Sequence, residues 1–378
     1  MLAFFPWLSI DGPIAVGRLR LSPFERGAAP AGAGTTEQRL IDGVLAPFRE
    51  PHGPVNVATI AHIEGKAHTA DLDEAERNDL FVFSQVVAFG GLAAREFCSY
   101  GRYCNTADFS FMIQGFRDEP NGTFFDARRR DGYRSIRVTA DAYQVQSPSQ
   151  MSFDRPIRLD AALIRALMTA RGTPVWDHVF EAIAPFLRAN TDAPDVAEQT
   201  EVVEMVGAFE KALGVWGSDG LKRELGRHFH PTRDISPRDA PRIPPAQRNG
   251  PSVRSFWIAD FYDLRNAHAH GSQAPPGGLV WDRMEHLLLG AYAFPLLVKC
   301  LLSEEHLYQL TEADQKAIDL FEWRARSQGH LLERIQRQNR HSDIRWNLLE
   351  LDFIHEQGRL ALDDFFRREA ANDGSEVH

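Results

Sequence analysis

The chain has 378 residues, 43% of them hydrophobic, enough for two or three domains with substantial cores. Its formal net charge of −10 excludes a protein coated in basic surface, so any contact with nucleic acid has to come from a local patch. Its cysteines, Cys98, Cys104 and Cys300, are too few for a disulfide framework and lack zinc-site spacing, which predicts reduced thiols in a cytoplasmic protein.

The start, "MLAFFPWLSIDG", lacks a basic leader and a small-residue cleavage site, so no secretory signal is expected. Residues 1–150 then carry strand and turn signals. "PIAVGRLRLSPF", "VNVATIAHIEG", "DLFVFSQVVAF", "FSFMIQGF" and "YRSIRVTADAYQV" are short, rich in β-branched or aromatic residues, and often separated by Gly, Pro, Asn or Asp. They predict a β-rich first domain for recognition or sensing. "VAFGGLAAREF" reads as a strand running into a turn. Between Phe125 and Tyr133, "DARRRDG" contains an Asp131-Gly132 turn signal and would place Arg128, Arg129 and Arg130 at or near a hairpin tip.

From about residue 155 the spacing becomes helical. "RLDAALIRALMTA", "VWDHVFEAIAPFLRAN" and "EVVEMVGAFEKALGVW" repeat apolar residues every three or four positions, which predicts an all-α second domain over 151–305. His230 to Pro251 form a long proline-rich break, expected to be functional or disordered. Two more helices follow, "SVRSFWIADFYDLRNAHAH" and "WDRMEHLLLGAYAFPLLVKCLLSEE". The apolar run Leu287–Val298 of the second is well short of the roughly 18 residues of a membrane span and predicts a core helix, with no membrane contact. A helical extension over 306–378 ends in "NDGSEVH", which should fray. The fold class expected is therefore α+β: a β-rich domain, then a helical bundle with extra C-terminal helices.

The chemistry concentrates in "FYDLRNAHAHG". Trp257, Phe261 and Leu264 form one apolar stripe, and Ile258, Tyr262, Arg265 and Ala269 form a second row about 100° around the helix. Arg265 thus lies on a face that awaits a partner. The simplest structural alternatives are an ion pair of Arg265 with Asp263, Asp260 or Glu210, and a His270 that merely complements the helix dipole before Gly271.

The stretch resembles the R-x4-6-H motif of HEPN domains and is most similar to the Apea-like HEPN group, in which a "YDLR" sequence leads to a closing "HG". The resemblance covers about residues 155–305. It implies a helical bundle that forms a homodimer through the motif helix, and a metal-independent endoribonuclease that needs no cofactor. It assigns His270 as general acid or base, Arg265 as stabiliser of the phosphorane, and Asn266 as an orienting contact, with His268 and Asp263 auxiliary. Products would be a 2′,3′-cyclic phosphate and a 5′-hydroxyl, in a toxin-like or anti-phage abortive-infection role. A non-catalytic HEPN module binding RNA, nucleotide or protein is the alternative. In a regular helix Arg265 and His270 point about 140° apart, so their convergence requires a frayed helix end or a second chain.

An RNA partner also requires cations. Lys222, Arg223, Arg227, Arg233, Arg238, Arg242, Arg248 and Arg254 make residues 221–254 locally basic, and the Arg128–Arg130 hairpin is a second candidate. There is no G-x-x-x-x-G-K-[ST], H-E-x-x-H or G-x-S-x-G element. His228-x-His230 and His268-x-His270 lack the cysteine or carboxylate company of a metal site, so none is expected.

Overall fold

The computed structural model describes residues 1–373 apart from 29, 31–32, 100, 116–122, 130–131, 139–143, 149–155, 249, 271–277 and 334–343, with no side chains described over 116–143 or 369–373. It is a mixed α+β protein in which a small antiparallel sheet near the N-terminus precedes most of the helices. Two compact units divide it: Met1–Phe97, Gly101–Ala212 and Leu301–Tyr308 form the first, and Cys98–Tyr100, Leu213–Cys300 and Gln309–His378 the second.

In the first unit the elements run β1 (Leu2–Phe5), β2 (Ile14–Val16), β3 (Leu19–Glu25), α1 (Thr35–Leu45), β4 (Phe48–Glu50), β5 (Gly53–Pro54), β6 (Val57–Ile63) and α2 (Glu74–Ala94). They continue as β7 (Met112–Gln114), β8 (Thr123–Arg129), β9 (Gly132–Val138), β10 (Val145–Gln146), α3 (Ala161–Ala170), α4 (Pro174–Arg188) and α5 (Glu198–Leu213). The main sheet has the order β2-β3-β6-β1-β7 and is antiparallel throughout, with Phe4 opposite Ile60 and Leu21 opposite Ala61. Leu2, Phe4, Phe24, Ala58 and Ile60 meet Ile41, Val44 and Leu45 of α1 in one core. Their two-residue alternation along β1 and β6 is what the pleat requires of a buried face.

Two expectations for this region fail. "DLFVFSQVVAF" is not a strand but the middle of α2. Its aromatic and β-branched content suits a strand, yet Asp73 and Glu76 form a reciprocal capping box, Glu76 N to Asp73 Oδ1 at 2.8 Å and Asp73 N to Glu76 Oε2 at 2.9 Å. Glu76, Leu80, Phe83, Val87 and Gly91 then repeat a buried face at helical spacing. Nor do Gly90 and Gly91 mark a turn. A Cβ on Gly90 would overlap Ile164 of α3, and one on Gly91 the ring of Phe109, so these glycines allow close packing against α2. The boundary expected at residue 150 lies within this unit, where α3 and α4 pack on α2. At the basic hairpin Arg129 pairs with Gly132, so Gly132 begins β9, and Arg130 and Asp131 lie outside the described residues.

The second unit holds α6 (Ser218–His228), α7 (Val253–His270), most of α8 (Arg283–Glu304), α9 (Glu312–Ala325) and α10 (Ile344–Asp373). Here α7 packs on α6 and α9, and α10 on α9. Among the described helices α8 is long and apolar enough to cross a membrane, but most of its residues are buried, as a core helix requires. Beyond Phe353, α10 leaves Ile354, Leu362, Phe365 and Phe366 exposed. The last residues, 374–378, lie outside the described part.

The described residues of the proline-rich break pack into the second unit. Two short 3-10 turns, Pro237–Asp239 and Pro245–Gln247, bury Pro237, Ala240 and Ile243 in and beside them. Asp319 of α9 accepts from Thr232 N at 2.6 Å and Thr232 Oγ1 at 2.8 Å, while Glu322 accepts from Ile235 N at 2.6 Å. The prolines lower the entropy lost on ordering this segment, and the α9 carboxylates satisfy its backbone donors.

Candidate active site

Helix α7 carries the motif. Trp257 and Phe261 are fully buried and Leu264 nearly so, which places the expected stripe in the core. Phe261 stacks on His286 with ring centroids 4.7 Å apart, and Trp257 meets Phe321 edge-on at 5.1 Å. Asp260 accepts from Val280 N at 3.0 Å and Trp281 N at 3.2 Å, and lies 3.1 Å from His286 Nε2. A carboxylate only accepts, so the His286 proton resides on Nε2 in this contact. This buried pair fixes the approach of the chain to α8. The sequence hint was an acid and a histidine set among otherwise apolar helix positions.

The second row emerges from the core as the helix proceeds: Ile258 is buried, Tyr262 and Arg265 are half-buried, and Ala269 is exposed. The Arg265 guanidinium lies 5.6 Å from the centre of the Tyr262 ring, and its Nη1 donates to Asn266 Oδ1 at 3.0 Å. Asn266 thereby meets Arg265 as an orienting contact would. His268 sits three residues on, about 60° around the helix from Arg265. Its pKa is lowered, first by burial and then by the Arg283 charge, so its imidazole is neutral near pH 7. The His268 Nε2 atom is buried and has no hydrogen-bond partner among the described residues.

His270 is the last residue of α7 and is exposed. The helix is regular up to that point, so fraying does not turn His270 toward Arg265 within one chain. Asp263 is also exposed, although partial burial and the Asp260 charge raise its pKa, with Lys222 pulling the other way. The helix therefore brings Arg265, Asn266 and His268 together and leaves His270 and Asp263 outside that group.

The expected cationic track is only partly available. Arg254 is 5% exposed, and its Nη1 lies 2.6 Å from both Asp234 Oδ1 and Glu322 Oε1. It is a structural charge and cannot meet a phosphate without breaking that pair. Arg248 donates to the carbonyls of Ile243 at 2.8 Å and Arg238 at 3.3 Å, which engages it within the proline-rich segment. Arg242 is bound to the buried Glu285. On α6, Lys222 pairs with Asp219 at 2.6 Å and Arg223 with Glu224 at 2.6 Å, while Arg227 lies 3.6 Å from Glu224. Arg223 and Arg227 are exposed and Lys222 is half-buried, and Arg128 and Arg129 end β8 with Arg130 beyond the described residues.

Asp282, Glu285 and His330 bring ligand-type atoms within 4.8 Å of one another. Glu285 already accepts from Arg242, Asp282 N and Leu331 N, and the Arg242 guanidinium opposes a metal cation there. None of Cys98, Cys104 and Cys300 is in a disulfide. In comparisons with family models, curated proteins and solved structures no match to this chain is found, so the reading of the site rests on its own residues.

Proposed function

We propose that the second unit is a metal-independent endoribonuclease of the HEPN type, similar to the Apea-like group, acting as a homodimer through α7. The observation that carries this reading is the end of α7. A half-buried Arg265 oriented by Asn266 and Tyr262, a neutral His268 beside it and an exposed His270 at the terminus occupy one helix whose Trp257, Phe261, Leu264 stripe is core.

Those groups suit cleavage by the adjacent 2′-hydroxyl. A neutral imidazole takes the 2′-proton, the 2′-oxygen attacks phosphorus, and the P–O5′ bond breaks as an imidazolium protonates the leaving oxygen. Arg265 meets the charge that grows on the phosphoryl oxygens through its planar fork of donors. The regular helix keeps His270 about 140° from Arg265, so a second α7 supplies the opposing histidine. In the cell this reading corresponds to an RNA-cutting effector of toxin-like or anti-phage defence.

The test is incubation of the full chain with RNA in excess EDTA. Cleavage to 2′,3′-cyclic phosphate and 5′-hydroxyl ends is expected, with loss in Arg265→Ala and His270→Ala at unchanged oligomeric state. Full activity of both variants overturns the assignment. A second reading, a non-catalytic module that binds RNA, nucleotide or protein through the same face, is favoured by the internal engagement of Arg242, Arg248 and Arg254. It predicts retained binding without any cleavage.

A further inference from the structure

A cavity of about 520 Å³ opens in the first unit, far from any residue of the motif in sequence. Its wall includes Trp7 and Ser9 from the segment after β1, Asp11 ahead of β2, Glu50 at the end of β4, Arg95 just after α2, and Arg158 ahead of α3. The volume suits a ligand of sugar-phosphate to mononucleotide size.

Arg95 is the informative residue. It is only 8% exposed, yet no carboxylate lies within ion-pair distance of it among the described residues. Its guanidinium is held by neutral groups: Nη2 donates to Asn190 Oδ1, and Nη1 to the Cys104 carbonyl at 3.4 Å. Asn190 is itself fixed, since its Nδ2 donates to Phe186 O at 2.7 Å. The rings of Phe97 and Tyr103 lie 4.7 and 5.7 Å from Arg95 Cζ, and Arg95 Nε is buried without a hydrogen-bond partner among the described residues. The nearby acid Asp192 is engaged by the Tyr103 hydroxyl.

A guanidinium cannot shed its proton to escape burial, so its charge calls for an external anion. Elsewhere on the wall, Asp108 closes a capping box on Asn105 N at 3.0 Å, and Arg102 pairs with Glu96 at 2.6 Å. Asp11 presents acceptors to the same cavity and suits a ligand with hydroxyl groups. We infer that this cavity binds a small polyhydroxylated organic anion whose phosphate or carboxylate meets Arg95. The inference does not depend on the ribonuclease reading.

The experiment is calorimetric titration and thermal melting of the full chain with ribose 5-phosphate, AMP and gluconate, each against neutral ribose or adenosine. At least one anion should bind saturably and raise the melting midpoint, while its neutral counterpart does neither. Phosphate and carboxylate ligands are told apart by which anion responds. Arg95→Gln should weaken binding at least tenfold. Ser9→Trp, which fills the cavity and leaves the Arg95 side chain in place, should do the same and decides the matter if Arg95→Gln fails to fold. Binding by none of the anions, equal binding of the neutral compounds, or undiminished binding in Ser9→Trp overturns the inference.

Discussion

Arg254 and Arg265 stand eleven residues apart on α7, three turns along and within about 20° of the same side, yet their surroundings differ. Arg254 is buried between Asp234 and Glu322, whereas Arg265 is half-buried beside a neutral amide and the face of Tyr262. The first charge is matched by the fold and holds the proline-rich segment, α7 and α9 together. The second is half-buried on the row that emerges from the core, where it lies beside Asn266 and the face of Tyr262. One helix thus shows that depth of burial, more than residue type, separates a structural charge from a candidate site.

The largest expected effect sharpens that contrast. His270→Ala should lower RNA cleavage by about 10²- to 10⁴-fold, as loss of a general acid or base does, with the melting midpoint unchanged. Arg265→Ala should match it, and Arg265→Lys should restore only part, because a point charge lacks the planar fork. At the other end, Arg254→Ala should cost about 3–5 kcal/mol in urea unfolding, since it leaves the Glu322 carboxylate buried without its partner. An Arg254→Ala variant of wild-type stability would break the comparison.

Smaller effects follow from unmatched charge in the first unit. Glu201 is pushed up to about 7 by burial, then by the charges of Asp192 and Glu198. As pH rises from the ordinary 4.5 toward 7, the unfolded chain releases this proton while the folded one retains it, so stability falls across that window. Glu201→Gln should therefore raise the melting midpoint at pH 8 and leave it unchanged at pH 4. His62 behaves in the opposite sense: burial, then His68 and Arg20, lower it to about 4. Its contribution is complete above the ordinary 6.5 and is lost as pH falls from 6.5 toward 4, because the unfolded imidazole takes its proton first. His62→Gln should flatten melting curves over that acid range. The smallest effect is expected for Lys222, Arg223 and Arg227 changed together to Ala. Their exposed pairs contribute little to stability, so the midpoint should hold while the salt dependence of RNA binding becomes shallower.

Several of these elements were legible before any fold was known. The apolar spacing of α3, α4, α5, α7, α9 and α10 is local, and so is the stripe Trp257, Phe261, Leu264, which the structure buries. The α2 helix was missed because its aromatic and β-branched run suits either period, while the Asp73–Glu76 cap that decides it lies just outside the run. At the candidate site, the neighbourhood of Arg265 and His268 follows from helix spacing alone, whereas the Arg265–Asn266 hydrogen bond does not. That Arg254 and Arg242 are internal charges does not, since Glu322 and Glu285 lie 68 and 43 residues away.

Periodicity and capping act over a few residues, so most helices, several strands and the crowding of arginine and histidine at the end of α7 are set locally. Contacts between distant segments set which cations are buried against carboxylates: Arg254 meets two, while Arg95 at the cavity wall has none within ion-pair distance among the described residues. Charge pairing depends on which distant segments are brought within about 4 Å, where the energy of an ion pair and the cost of an unpaired one are both set.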